Sequence, residues 1–303
     1  MFLRMRARWD PLTIAALALG VAAVSSSAAM IVYAAAPALA IAFWRNALAT
    51  GVLAPVTVAT RRKELLGIDK RDSVLAGIAL AAHFGMWIPS VKLTSIATAT
   101  ALVCTQPIWA GLFSAWRGRP LGRQAWLGMG VALAGVVIAT GADADLGGRA
   151  LLGDALALGG AVMAAVYTTL GGRVRQQVST TTYTTVCYGV AAAALLVVCV
   201  VAGVPMTGYN AGTWLAIVGI TVGPQLLGHS MFNYTLRKVS ATTVAVVTLL
   251  EVPGAILLGW VWLGQNLSAA SIIGVAALLA GVATVILSPG ARSDRHQLPA
   301  SDL

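Results

Sequence analysis

Long stretches without a single charged residue alternate along this chain with short clusters of arginine and lysine. Charges are absent over Pro11 to Trp44, Leu93 to Trp116, Gln124 to Ala142, Ala155 to Gly172, Gln176 to Leu236 and Val252 to Ala291. A hydrocarbon layer roughly 30 Å thick takes about 20 apolar helical residues to cross. A segment inside it must satisfy its own backbone, which selects helices. Dividing the apolar tracts at their turn residues and flanking charges predicts ten transmembrane helices, near residues 12–34, 38–60, 73–91, 95–116, 124–141, 151–170, 183–203, 213–235, 240–263 and 270–288. The expected fold class is an all-α membrane protein. The apolar run after Arg4, Arg6 and Arg8 is longer than the core of a secretory signal and belongs to the repeat described below, so it reads as the first span rather than as a leader.

Composition agrees with this pattern. Apolar residues make up 58% of the chain and charged residues 10%, with a mean hydropathy of +0.84, values foreign to a domain with a water-facing surface. The net charge of +10 raises the question of nucleic acid. Yet every Lys and Arg except Arg45, Lys92 and Arg149 falls in segments that alternate threading puts on one side of the membrane, which predicts both termini in the cytoplasm. The basicity therefore reads as topology, and no connecting segment is long enough to form a basic face for nucleic acid. Cys104, Cys187 and Cys199 all lie inside predicted spans without ligand-like spacing, so packing is expected of each, and neither a metal nor a cofactor is expected.

The chain also repeats itself. A shift of 146 residues, without a gap, brings His83 onto His229, Lys92 onto Lys238, Pro107 onto Pro253, Gly128 onto Gly274 and Ala134-Gly135-Val136 onto Ala280-Gly281-Val282. His, Lys and Pro are scarce here, so their common register carries the match. Spans three to five then correspond to spans eight to ten, and each half holds five helices. Because five is odd, the halves are expected to enter the membrane in opposite senses, the inverted duplication found in many secondary transporters. The expected organisation is a cytoplasmic segment 1–11, a first five-helix repeat 12–141, an outside linker 142–150, a second repeat 151–288 and a cytoplasmic tail 289–303.

Few ionisable residues lie at membrane depth, and each is costly there unless paired or facing water. Glu251 falls halfway along the ninth span, two residues before Pro253, where a lost backbone hydrogen bond lets a helix bend. A carboxyl at a bend could exchange a proton during transport, bind a cationic group, or simply tie helices together. Gln225, His229 and Asn233 recur at intervals of four and should share one helical face, and His83 and Trp87 stand at the positions that the shift pairs with His229 and Asn233. Such a stripe fits a substrate cavity, and it equally fits hydrogen bonding between helices. Trp109, Gln106 and Tyr167 are further candidates for the lining, with Tyr234 nearer the interface. Arg45, about ten ångström deep by helical rise, is read as a structural charge, with an anion contact as the alternative. Gly128, Gly130 and Gly135 in the fifth span, with Gly274 and Gly281 in the tenth, are expected to form a close seam. Ser25-Ser26-Ser27 either lines the cavity or bonds the preceding turn. Asp154 sits near an outer end, and Asp143 and Asp145 fall in a loop.

Phe43-Trp44-Arg45 early in the second span, Thr105-Gln106-Pro107 in the fourth, Glu251-Val252-Pro253 in the ninth and the Gly-rich fifth and tenth spans together resemble the EamA family of the drug/metabolite transporter superfamily, over about residues 12–288. That family commonly carries Gly-Glu-Arg after its fourth and ninth spans. Here those positions read Gly118-Arg119-Pro120 and Gly264-Gln265-Asn266, so no role is carried over to them. The resemblance implies a multi-pass carrier of the cytoplasmic (inner) membrane, usually an exporter of metabolites, amino acids or toxic compounds, without an ATPase of its own. Expected partners are a small-molecule substrate, the lipid bilayer and a second copy of the chain, with no nucleic acid. An enzyme is not expected: the chain has no paired intramembrane aspartates, no Ser with a general base and no P-loop or HExxH motif. A channel or a non-transporting scaffold is the alternative.

Overall fold

The structure is a computed structural model that describes residues 10–141, 147–263 and 268–288. Asp143, Asp145, Gly264-Gln265-Asn266 and the basic residues at 4, 6, 8, 292 and 295 lie outside the described residues. Among the described residues there are helices and no strands. Ten helices are long and apolar enough to cross a bilayer: Pro11–Tyr33, Ala38–Gly67, Lys70–Leu93, Ile96–Trp116, Arg123–Thr140, Gly148–Val174, Thr180–Val201, Ala211–Thr235, Ala241–Leu258 and Ala269–Leu287. These are called the first to tenth spans below. Large apolar side chains such as Val52, Val56, Leu127, Ile138, Val200, Ile272 and Ile273 point outward. A surface of this kind suits lipid, and the chain is a multi-pass membrane protein.

Several spans run past their expected ends. The second continues to Gly67, but Arg61 leaves helical geometry (φ −135°, ψ 24°), so the apolar part stops at 60 and the basic turn after it points elsewhere. Local capping sets other ends: Asp10, Ser95, Ser179, Asn210, Ser240 and Ser268 each accept a hydrogen bond from a backbone N–H in the first turn of their helix. Such caps satisfy donors that a helix start leaves unpaired.

The second span packs along the seventh, the fifth along the tenth, the third along the sixth and the first along the eighth, while the fourth meets the ninth. The fifth–tenth seam is made by glycine. A Cβ on Gly135 would land on the backbone nitrogen of Leu278, one on Gly274 on that of Ala139, and one on Gly281 on that of Ala132. Gly128 approaches the carbonyl oxygen of Gly281 in the same way, at 2.9 Å from the position a Cβ would take. Gly130, expected on this seam, instead faces away with nothing within 4 Å. It stands two residues from Gly128, which turns it about 200° around the helix. The main core lies among the second, third, sixth and seventh spans around Ile41, Phe84, Ile88, Tyr183 and Tyr188.

Candidate functional site

Three spans are broken at mid-length. The first divides into Pro11–Val24 and Ser27–Tyr33, the fourth into Ile96–Val103 and Gln106–Trp116, and the ninth into Ala241–Thr248 and the helix that begins at Glu251. The breaks in the fourth and ninth spans stand at equivalent positions of the repeat and have one cause. Pro107 and Pro253 carry no N–H, so the carbonyls of Val103 and Leu249 lose their usual partners. The chain tightens there into short bonds, Thr105 N–H to Leu102 O at 3.1 Å and Val252 N–H to Leu249 O at 3.1 Å. At the first break Ser25 and Ser26 donate to the carbonyls of Val21 and Ala23. The side chain of Ser25 fills the space where a Cβ on Gly254 would lie, which sets this break against the start of the ninth span's second half.

A central cavity opens at these breaks. The first span contributes Val24 and Ser27, the third His83 and Trp87, the fourth Cys104 and Gln106, the sixth Tyr167 and Thr168, the eighth His229, Phe232 and Asn233, and the ninth Thr248 and Glu251. Seven expected residues thus line one cavity: Glu251, His83, His229, Trp87, Asn233, Gln106 and Tyr167. The two imidazole centres are 6.4 Å apart. His83 stacks on Trp87 at 6.1 Å and its Nδ1 meets the carbonyl oxygen of Gly160 at 2.9 Å. A carbonyl can only accept, so Nδ1 carries the proton, and Nε2 is an acceptor whenever the ring is neutral. Asn233 donates to the Tyr167 hydroxyl at 2.5 Å, and Gln106 reaches Thr168 at 3.5 Å. The carboxylate of Glu251 has the thiol of Cys104 at 4.0 Å. The cavity therefore offers acceptors at Glu251 and His83 within a largely aromatic and aliphatic shell.

Two expected residues stand elsewhere. Trp109 is folded back, its indole N–H donating to Thr105 at 3.2 Å, and it packs against the cores. Gln225 is fully buried and turned toward the second span. The eighth span winds as a π-helix over Thr221–His229 around Pro224, and this wider winding breaks the four-residue spacing that would put Gln225 beneath His229. Its side-chain oxygen accepts from Arg45 Nε at 2.7 Å and its amide donates to Asn46 at 3.1 Å. Arg45 is fully buried too, its guanidinium 3.9 Å from the centre of the Phe84 ring. Among the cavity residues that the sequence pattern had not singled out for the lining are Cys104, Thr168, Phe232 and Thr248. Cys104 and Thr248 flank the two breaks, so the bends themselves were the available signal.

Tyr234 lies at the basic end of the molecule in a second, open depression with Arg175, Arg237 and Lys238. Arg175 donates to the carbonyl oxygens of Asn233 and Val178, and burial pulls its guanidinium down to about 10, with Arg237 adding to the effect. Lys238 reaches Asp10 at 2.9 Å, tying the end of the eighth span to the start of the first. The hydrogen bond from Lys238, helped by Thr13, holds the Asp10 carboxyl down at about 2. Asp154 is placed near the end of its span with one carboxylate oxygen buried and unpartnered.

The sequence model of the EamA-like transporter family matches residues 11–141 and again residues 151–287. A protein of Archaeoglobus fulgidus described as an uncharacterized transporter is 24% identical over 220 residues, which covers 72% of this chain and 78% of that protein. A chain in a solved crystal structure superposes with a TM-score of 0.75 at 22% identity, over 90% of this chain and 97% of the other; that likeness concerns the fold alone.

Proposed function

The chain belongs to the EamA-like transporter family, and on that premise we propose that it is a secondary transporter of the cytoplasmic membrane, exporting a small metabolite, amino acid or drug-like compound by alternating access around the central cavity. The observation that carries this reading is the convergence of residues from both family-matched stretches on one mid-span cavity, at equivalent proline breaks in the fourth and ninth spans. Unwound segments at membrane depth are tolerated where they line a cavity, and transporters place substrate sites there.

Inverted halves are supported by the pairing of spans. Under the 146-residue correspondence the second and seventh, fourth and ninth, and fifth and tenth spans are counterparts, and each pair is in contact. The third–sixth and first–eighth contacts are the two that an approximate two-fold axis in the membrane plane would exchange. Two such halves, 12–141 and 151–288, can rock about the cavity and open it to either side in turn. The positions of the basic clusters support a cytoplasmic placement of both termini. Glu251 is the group through which protons would couple, because it is the one carboxylate among the cavity residues and its polar neighbour among the described residues is the thiol of Cys104.

The test is transport in vesicles against a panel of amino acids and cationic drugs, comparing the intact protein with Glu251→Gln across pH. The expected result is movement of at least one panel member by the intact protein, reduced at least tenfold or made insensitive to pH in the variant. Equal transport by both proteins at every pH would remove Glu251 from the coupling path. An intact protein that moves none of the panel would count against the carrier reading.

A further inference from the structure

Side-chain donors buried without a partner among the described residues include those of Arg45 and Trp87. Arg45 is fully buried, and while its Nε is held by Gln225, neither Nη1 nor Nη2 has a partner among the described residues. Among the described residues no carboxylate is paired with it, and its electrostatic neighbours are Tyr188, Tyr167, His83 and His229. The Trp87 indole N–H, on a side chain only 8% exposed that lines the cavity, is unpartnered as well. By helical rise from the Ala38 end of the second span and the Leu93 end of the third, Arg45 and Trp87 lie at similar depth, about ten ångström in. Between Arg45 and the cavity stands one aromatic layer: the guanidinium lies on Phe84, whose ring is 4.9 Å from His83 and 5.2 Å from His229, both of them cavity residues.

A buried guanidinium with two free N–H edges is a fork shaped for a carboxylate, and Gln225, itself held by Asn46, bonds Nε so that the fork is already oriented. We propose that Arg45 is an anion-binding residue of the transport pathway, taking the carboxylate of a solute with an apolar or aromatic body when Phe84 and His229 move aside, with the Trp87 indole N–H as a second donor on the way. The proposal rests on the transporter reading and narrows its substrate class. Glu251 and His83 supply acceptors for the positive or hydrogen-bond-donating end of such a solute, and Trp87 and Arg45 supply donors for its carboxylate.

Binding, rather than transport, tests this, so its failure is separable from failure of the transporter reading. The purified full-length protein is titrated with benzoate and with its neutral isostere benzamide, following the thermal midpoint. Benzoate is expected to raise the midpoint at concentrations at least tenfold below those benzamide needs. Arg45→Gln should erase that preference, and Trp87→Phe, which keeps an aromatic side chain and removes the donor, should weaken benzoate several-fold with little effect on benzamide. Equal responses to benzoate and benzamide in the intact protein would overturn the proposal, as would a preference for benzoate that survives in Arg45→Gln. Should Arg45→Gln fail to fold, the intact protein and Trp87→Phe still decide: a benzoate preference that Trp87→Phe leaves unchanged would count against it.

Discussion

At the scale of single residues, position along the membrane normal decides what a charge does. Asp10 and Lys238 meet at the basic end, where each also serves its own chain segment: Asp10 caps the first helix and Lys238 closes the eighth span. Because the folded protein holds the Asp10 carboxyl at about 2, below the ordinary value near 3.8, the bond stabilises the fold above that ordinary value and is lost as pH falls through about 2. Asp10→Asn keeps a good cap and removes the charge. Its thermal midpoint is expected to sit slightly below that of the intact protein at neutral pH, with the gap closing in acid toward pH 2. A gap that stays constant down to pH 2 would mean that the ion pair is not its source. Deeper in, Arg45 has an amide for a partner where a carboxylate would be usual, and this pairing was not legible in the sequence. Gln225 stands 180 residues away, and nothing in its spacing marks it as the partner.

At the scale of elements, glycine and proline carry most of the instruction. Pro253, two residues beyond Glu251, announced a bend in the ninth span, and the structure breaks that helix and also the fourth, where Pro107 stands at the equivalent position. The glycines of the fifth and tenth spans announced a seam, and the side of the helix each one faces decides which matter. Gly274→Ala and Gly281→Ala must force backbones apart, so each is expected to cost about 1–3 kcal/mol, read as a lower midpoint in chemical or thermal unfolding. Gly130→Ala meets open space and is expected to be neutral or to gain up to about 1 kcal/mol from helix propensity. A result with Gly130→Ala as damaging as Gly281→Ala would contradict the seam. The π-helical stretch of the eighth span is the element that periodicity misreads. An i, i+4 rule assumes α-helical winding, and the wider winding over Thr221–His229 separates Gln225 from the His229–Asn233 face. Trp109 escaped for a different reason, since a hydroxyl one turn away captures its indole N–H and no pattern of apolar positions records that.

At the scale of the whole molecule, ten spans and the contribution of both halves to one site follow from hydrophobic run length and a repeat of scarce residues. The cavity's composition follows from what the breaks expose. Seven of the nine residues picked from the sequence line it, because polar groups in lipid-facing helices have few other places to point. The proposed alternating access requires that this cavity be reached from one face of the membrane and then the other. Thr248 lines it beside Glu251, so the direct measurement is labelling of a single cysteine at that position. In a background of Cys104→Ser, Cys187→Ala and Cys199→Ala that still transports a panel solute, Thr248→Cys is treated with a membrane-impermeant maleimide applied to one face at a time of oriented proteoliposomes. Alternating access predicts reaction from both faces, with transported solute shifting the balance between them. Reaction from a single face only, in protein that continues to transport, would contradict it.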